Sequence, residues 1–563
     1  MQDPSINIVI GGEAGQGLAT IGYLFTKAII RTGYEVVVTQ DYMSRVRGGH
    51  NTFCIRMSPE PVFAPKEPVD VLVALNEKTV RLHKDKLSER GLIVVDQGVD
   101  TGDAKVYKVP FEELAPKPIF FNTVALGVLA STVCEDINVL ENLLRDTFKK
   151  KGEEVVQQNL EVLRNAYEWQ KGQNDVFECP APAQGNPDRL TMQGNEAIAL
   201  GALAAGCNFC SFYPMTPSTS VALNLIGKGG PLGLVSEQAE DEIAALNMAL
   251  GASYAGARVL VPTSGGGFAL MTEAVSLAGM TETPVVIVLA QRPGPATGLP
   301  TRTEQGDLFL ALHSGHGDFP RAILAPGTVE ECFHLTHRAF GLAERYQSPV
   351  FVLTDQFLAD SYRAVEPFDL ESLPQLPAPL LEVDNPEAYV RYAVTEDGVS
   401  PRVIPGFSEA VVVVDSDEHT PDGHITEDFG VRVDMVEKRN RKGQGLVSEI
   451  VPPTFDGPED PETLFVCWGS SLGAVKETCQ RLQEEGKRAA LVHFSQIWPL
   501  DPEHFLGRFK AAGQVVFVEG NFSGQFAALV RMETGYVPDR KILRYDGLPF
   551  TPAFILEQLQ KSS

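Results

Sequence analysis

Cysteine is scarce and scattered: eight thiols, at 54, 134, 179, 207, 210, 332, 467 and 479, are spread over 563 residues. Only Cys207 and Cys210 stand close together, and no second pair lies at zinc or cluster spacing. A disulfide framework is excluded and no iron–sulfur cluster is expected on this chain, so the thiols read as buried or inert, with an unrecognised redox role as the other reading. Positive charge is short as well. Lys and Arg number 47 against 73 Asp and Glu, a net −26. Such a surface repels phosphate backbones and anionic lipid, so no nucleic acid and no membrane is expected as a partner. No apolar run approaches the roughly 20 residues of a membrane helix. The opening Met-Gln-Asp-Pro lacks a basic stretch and a cleavage site, which points to a cytoplasmic location.

What is present is an ordinary α/β composition, 44% hydrophobic and 21% charged, with 51 Gly and 39 Pro for ordered turns. The length suggests three or four domains. Residues 1–175 open with a strand at 6–10, turn through glycines into an amphipathic helix at 18–32, and continue with β-like runs at 36–39, 69–75 and 92–96. This alternation predicts a doubly wound parallel sheet, closed by a polar helix at 139–169. A Gly/Pro/Asn-rich linker follows at 176–188. A second α/β domain is expected over 189–375, with helices at 194–206 and 241–256 and strands at 259–262, 285–290 and 350–354. Residues 376–460, acidic and Pro-rich, read as an extended connector. The rhythm restarts in 461–563, with strands at 464–468, 488–494 and 514–519.

Three places carry candidate chemistry. The loop Gly11-Gly12-Glu13-Ala14-Gly15-Gln16-Gly17 sits where a strand hands over to a helix, where backbone amides and the helix dipole favour an anion; a tight turn with no ligand explains it too. Its spacing is not the dinucleotide fingerprint. Downstream, Arg45 and Arg47 precede a Gly pair in Met43-Ser44-Arg45-Val46-Arg47-Gly48-Gly49-His50-Asn51, a cationic loop suited to an anionic ligand or to solvent. Glu242 begins an Ala-rich helix with Gly251 nine residues on. Close packing of Ala244, Ala245, Ala249, Gly251 and Ala252 would seat this acid where its carboxyl resists ionising. The alternative is a first-turn carboxylate paired with the helix dipole, a part that Glu237, Glu240 and Asp241 could equally play.

A Glu followed at nine residues by Gly in an Ala-rich helix resembles the pyrimidine-binding domain of thiamine diphosphate enzymes. Around it, Tyr213-Pro214-Met215-Thr216-Pro217, Gly194-Asn195-Glu196-Ala197, Thr263-Ser264-Gly265-Gly266-Gly267-Phe268, the run from Gln291 to Arg302, and Gly315-His316-Gly317-Asp318-Phe319-Pro320 resemble the 2-oxoacid:ferredoxin oxidoreductases. The N-terminal glycine loop and Ser44–Asn51 are similar to the family's γ domain, here preceding the α part. The stretch Val518-Glu519-Gly520-Asn521-Phe522-Ser523-Gly524-Gln525 resembles its transketolase-like C-terminal domain, and Ser400-Pro401-Arg402 and Glu418-His419 agree in the connector. Gly266 departs from the family, which commonly has Pro there.

The resemblance implies a multi-domain α/β fold: an N-terminal gamma-type domain, a pyrimidine-type thiamine diphosphate domain and a transketolase C-terminal-like domain. It implies that Glu242 bonds N1′ of the aminopyrimidine, with Tyr213, Pro214 and Met215 beside the coenzyme. Thr216 would hydrogen-bond the substrate near its reacting carbon, and Arg302, or failing it Arg292, would grip the substrate carboxylate. Gly11, Gly12, Gly15, Gln16, Gly17, Arg45 and Arg47 would bind the phosphates of CoA. The family's Gly-Asp-Gly with a later Asn for Mg2+ and the diphosphate is missing, as are clustered cysteines. A β subunit is therefore expected to bring Mg2+, the diphosphate half of the site and a 4Fe–4S cluster, in an (αβ)2 assembly that reduces ferredoxin. The expected reaction is CoA-dependent oxidative decarboxylation of a 2-oxoacid, 2-oxoglutarate first, with pyruvate or branched-chain 2-oxoacids as alternatives. A transketolase-like or decarboxylase activity, a non-catalytic scaffold, and a nucleotide- or flavin-binding protein are the competing readings.

Overall fold

A computed structural model describes residues 3–43, 49–102, 105–173 and 177–561. The chain divides into two compact units, one made of residues 1–192, 360–368 and 551–554, the other of the remainder.

The first unit is built on a six-stranded sheet in the order Glu35–Asp41, Asn51–Ser58, Ile6–Gly12, Val69–Ala74, Leu87–Asp96, Val106–Val109. The last four strands are mutually parallel, but Asn51–Ser58 runs antiparallel to both its neighbours. The expected all-parallel sheet is thus a mixed one. The reason is chain length: the segment from Asp41 to Asn51 is shorter than the dozen or so residues a parallel crossover requires, so the chain can only return antiparallel. Helices Leu18–Arg31, Phe121–Thr132, Ile137–Phe148 and Glu153–Lys171 contribute to one core with the sheet. The expected single helix at 139–169 is two, separated at Gly152, whose φ of +99° no helix interior accommodates. Helix Phe121–Thr132 is mostly apolar and almost wholly buried, so it lacks the one-sided pattern that marks a helix in sequence.

Two of the cysteines depart from the expectation of unpaired thiols: Cys134 and Cys179 are joined in a disulfide, with Cα atoms 5.7 Å apart. Residues 180–189 are tied into the same unit. Tyr34 Oη donates to the Ala181 carbonyl at 3.1 Å. Arg189 donates to the Gly33 and Tyr34 carbonyls, each at 3.0 Å, and pairs with Glu35.

The second unit holds a seven-stranded sheet in the order Gln496–Trp498, Ala322–Leu324, Pro349–Asp355, Val285–Gln291, Val259–Thr263, Phe209–Phe212, Val235–Gln238. All its paired strands are parallel except the edge strand Gln496–Trp498. A five-stranded sheet (Thr454–Asp456, Ala489–Phe494, Thr463–Trp468, Gln514–Glu519, Arg540–Leu543) packs into the same core. Gln496–Trp498 follows Ala489–Phe494 after a single residue, so the chain passes from the smaller sheet straight to the larger. The stretch 376–460, expected as an extended connector, contains the helix Phe429–Ser448. That helix drives Lys438 and Lys442 into the interior, where both ammonium groups meet Glu282, at 2.5 and 2.8 Å. All three side chains are essentially without solvent, and removing one partner from such a group leaves a buried charge uncompensated. Among the described residues no helix is long and apolar enough to cross a membrane.

Candidate active site

In the second unit the strand Phe209–Phe212 opens at its C-terminal end into the turn Tyr213-Pro214-Met215-Thr216-Pro217, the end at which parallel α/β sheets leave room for ligands. Three side chains fix its shape. Fully buried Asn195, at the start of helix Gly194–Ala204, donates from Nδ2 to the Pro217 carbonyl at 2.8 Å and to Ser220 Oγ at 2.7 Å. Ser218 Oγ donates to the Met215 carbonyl at 2.7 Å. Arg292, next after strand Val285–Gln291, donates to the Thr216 carbonyl at 2.7 Å. Tyr213 and Pro214 are left exposed, and Met215 and Thr216 half-buried. Ser218, not Thr216, occupies the N-cap of the following helix, and the Thr216 hydroxyl has no partner among the described residues.

Glu242 is the first residue of helix Glu242–Tyr254. The part of dipole partner falls to Asp241 instead, whose carboxylate accepts from the Ala244 amide at 2.7 Å as N-cap. Glu237 and Glu240 are exposed, whereas Glu242 is 4% exposed. What receives its carboxyl is a glycine. A Cβ on Gly267 would come within 2.6 Å of both Glu242 Oε1 and Thr263 Oγ1, so this wall of the site exists only without a side chain. Gly266 is different, since a Cβ there would meet only the Ala296 carbonyl at 3.5 Å, an ordinary contact. Gly251 corrects the expected close packing along this helix. Ala245 and Ala249 are buried, but Gly251 faces open space, and Ile243, Met248 and Tyr254 are exposed on the same helix.

Asp307 was not foreseen from the sequence. Its Oδ2 is buried without a partner among the described residues. It crowds the start of helix Gly265–Met280, where a Cβ on Gly265 would lie 2.4 Å away. Burial pushes the Asp307 carboxyl up to about 7; nearby Glu304 adds to the rise and Arg292 opposes it. Burial in turn lowers the guanidinium of Arg292, with Asp307 as its counter-charge. Thr216, Arg292, Asp307, the glycines 265–267 and Glu242 therefore form one connected corner. Arg302 lies on the loop beyond it, packed against Gly547, where a Cβ would meet the Arg302 Cβ at 3.0 Å. Glu519 has a structural place: fully buried, it accepts from the Phe526 and Ala527 amides, each at 2.8 Å, at the start of helix Gln525–Thr534. Cys207 and Cys210 are buried thiols whose ionisation burial disfavours, Cys207 being pushed up to about 12.

In the first unit the loop 11–17 joins strand Ile6–Gly12 to helix Leu18–Arg31. Gly15 and Gly17 have φ of +96° and +77°, a region only glycine enters freely. Three of its glycines are also closed in. A Cβ on Gly11 would meet Thr79 Cγ2 at 2.4 Å, on Gly12 the Gln16 Oε1 at 2.5 Å, and on Gly17 the Asn122 Nδ2 at 2.4 Å. Gln16 braces the loop, its Oε1 accepting from the Glu13 amide at 2.6 Å. Gly17 caps the helix with no side-chain bond, so no side chain of the cap occupies its first-turn amides. Arg45 and Arg47 lie outside the described residues.

Two family models match: "Pyruvate flavodoxin/ferredoxin oxidoreductase, thiamine diP-bdg" over residues 200–438, and "Pyruvate ferredoxin/flavodoxin oxidoreductase" over 7–169. The alpha subunit of 2-oxoacid:ferredoxin oxidoreductase 2 from Aeropyrum pernix is 31% identical, over 97% of this chain and 95% of its own length. The 2-oxoglutarate synthase subunit KorA of Methanothermobacter thermautotrophicus is 33% identical over 66% of this chain and 98% of its own length. Among solved structures, a 2-oxoglutarate:ferredoxin oxidoreductase from Magnetococcus marinus, with 2-oxoglutarate, coenzyme A and succinyl-CoA bound, aligns with a TM-score of 0.92 at 34% identity, over 99% of each chain. With its thiamine diphosphate-binding part and its α/β multi-domain fold, this chain belongs to the 2-oxoacid:ferredoxin oxidoreductases, as an alpha subunit.

Proposed function

We propose that the chain is a fused γ–α subunit that acts on 2-oxoglutarate, yielding CO2 and succinyl-CoA from CoA and passing electrons to ferredoxin, in either direction. The solved relative with 2-oxoglutarate bound and the relative named for 2-oxoglutarate support that substrate. The fusion is supported by two family models standing side by side on one polypeptide, and by a relative that is matched nearly whole by two thirds of it. In this reading residues 1–175 are the CoA-binding γ domain and 189–375 the pyrimidine-binding domain. Residues 461–563 form the transketolase-like domain, with the linker 176–188 and the connector 376–460 between these parts.

The observation that carries the reading is Glu242, a buried acid held against a wall that Gly267 keeps clear. These residues fit the aminopyrimidine half of thiamine diphosphate. When bound, that coenzyme supplies an electron sink for decarboxylation. Glu242 holds a proton at ring atom N1′. Thr216, in a turn whose shape Asn195 and Arg292 maintain, offers its unengaged hydroxyl to the substrate beside the reacting carbon. Arg302 provides the two-pronged grip on a substrate carboxylate. Arg292, already committed to the Thr216 carbonyl, keeps the turn in register rather than binding substrate. Asp307 stands next to it as a carboxyl that can carry a proton near neutrality.

The coenzyme's diphosphate, Mg2+ and the 4Fe–4S cluster belong in this reading to a β subunit, in an (αβ)2 assembly that is active only when complete. The helix carrying Ile243, Met248, Gly251 and Tyr254, with its apolar side uncovered, supports such a partner. The test is co-expression with the β subunit, followed by CoA-dependent ferredoxin reduction across a panel of 2-oxoacids. The expected result is a preference for 2-oxoglutarate. Equal turnover of pyruvate would overturn the substrate, and a silent, coenzyme-loaded complex would overturn the function.

A further inference from the structure

In the first unit two histidines meet where nothing yet described has a use for them. His50 precedes strand Asn51–Ser58 and His83 ends helix Glu77–His83; their Nε2 atoms are 2.8 Å apart and their ring centroids 5.0 Å. One Nε2 must then carry a hydrogen and the other accept it. In the neutral pair only one of the two Nδ1 atoms has a hydrogen; adding one proton puts a hydrogen on both. His50 Nδ1 is buried and lacks a partner among the described residues. The same ring borders the glycine loop, its Cε1 standing 3.2 Å from where a Cβ on Gly11 would be. The charges facing the pair are mainly cationic: Lys78 acts on His50 and Lys86 on both rings, with Asp41 the opposing carboxylate. In a chain of net charge −26 this is an unusual corner. Burial, followed by the lysines, disfavours the charged rings, and His83 is pushed down to about 4.

We propose that the His50–His83 pair is a proton-coupled phosphoryl subsite of the loop 11–17. A phosphate or diphosphate group of a CoA-type nucleotide binds there, and the pair takes one proton from solvent as the anion arrives. No covalent bond changes. The anion offsets the burial and the lysine charges that together keep the empty pair neutral, and the added proton makes His50 Nδ1 an unambiguous donor toward it. The inference rests on the reading of this loop as the CoA site and goes further in naming which groups sense the phosphate.

The test is calorimetric titration of the full-length chain with CoA at about pH 6, in two buffers of different ionisation enthalpy. It is run on the parent chain and on His50→Asn and His83→Asn. Comparing chains cancels the ligand's own phosphate ionisation. The parent should take up about one proton more per CoA than either variant. Its affinity should exceed theirs about tenfold near pH 6, and the difference should shrink toward pH 8. Dephospho-CoA separates the two phosphate sources: an unchanged proton uptake assigns the subsite to the diphosphate, and a lost one to the 3′-phosphate. If a histidine variant melts early, Lys86→Met leaves both rings in place. Freed of that cation, the empty pair holds a proton more readily although burial still opposes it, so uptake should fall in part. Tight CoA binding with identical proton uptake in all chains overturns the subsite and leaves the CoA reading standing. No CoA binding by the folded parent chain overturns the CoA reading, and the subsite with it.

Discussion

At the Glu242 corner and at the loop 11–17, glycine does similar work for different ends. Gly267 stands back so that an acid can occupy a buried place; Gly11 stands back for Thr79 and His50, Gly12 for Gln16, and Gly17 for Asn122. The first corner is lined by carboxyl groups, Glu242, Asp307 and Glu304, with Arg292 already spent on the Thr216 carbonyl. Beside the second stands a histidine pair on which Lys78 and Lys86 act. Nor are the two equally finished. The helix that starts with Glu242 leaves Gly251 against empty space and three large apolar side chains exposed, as a site shared with another polypeptide would. The loop, by contrast, finds its bracing in its own unit, through Gln16, Thr79 and Asn122. An acidic, open corner suits proton handling, and a self-braced glycine loop beside lysine-flanked histidines suits an anion.

Glu242→Gln tests the first half of that contrast most severely. Turnover of 2-oxoacid by the assembled enzyme should fall about 10²–10⁴-fold, the usual worth of a positioned acid or base. CoA binding by the same chain should stay at the parent value. Gly267→Ala should follow it, because the added carbon collides with the Glu242 carboxyl. Were Glu242→Gln to retain full turnover, the acid would be a bystander and the corner merely structural.

Gly17→Ala probes the other side. The residue sits at φ +77° and its Cβ would press on Asn122 at 2.4 Å. Left-handed backbone costs a non-glycine residue about 1–2 kcal/mol, before any displacement of Asn122. CoA affinity, read by calorimetry, should drop about tenfold or more, while thiamine-dependent decarboxylation without CoA stays near the parent rate. A loss of both in equal measure would mean that the two sites are not separable as argued.

How far the sequence reached differs between these regions for identifiable reasons. Strand–helix alternation located most of the buried parallel strands within a residue or two, because they are unbroken apolar runs between turns, although Leu87–Asp96 begins five residues before the run expected at 92 and Phe209–Phe212 was not expected. Glu242 was one of several acids until Asp241 proved to be the cap. The antiparallel strand Asn51–Ser58 was invisible, since only the length of the preceding connection dictates its direction. Asp307 and His83 were missed because their environments are made by residues distant in sequence: Gly265 and Arg292 for one, His50 for the other. The bond between Cys134 and Cys179, 45 residues apart, has no local signal. Helix Phe429–Ser448 hid in a stretch of weak periodicity because it buries Lys438 and Lys442 on Glu282 rather than an apolar stripe.

Asp307 sharpens the account of the acidic corner through pH. Its carboxyl titrates near 3.8 when free and at about 7 in the fold. Between those values the folded chain keeps a proton that the unfolded chain has released, so this residue makes stability fall as pH rises from about 4 to about 7, with the loss complete above. Asp307→Asn removes that term. The variant's melting temperature should match the parent's near pH 4 and exceed it by a growing margin up to about pH 7. A margin that stays constant with pH would show that the carboxyl ionises normally.

Gly266→Ala carries the smallest expected effect and is informative for that reason. The position is the second residue of helix Gly265–Met280, where a side chain meets only the Ala296 carbonyl at 3.5 Å, and Ala is the better helix former by up to about 1 kcal/mol. Stability should change by no more than that, upward, and coenzyme-dependent activity should be unaltered. The same substitution one residue later is expected to disable the site. The departure at 266 from the Pro usual in the family is then understandable, since the first turn of a helix admits Pro, Gly or Ala alike provided nothing projects into the space that Glu242 needs. A Gly266→Ala chain as crippled as Gly267→Ala would show that the wall opposite Glu242 is wider than one residue, and the fit of that corner to a flat ring would have to be redrawn.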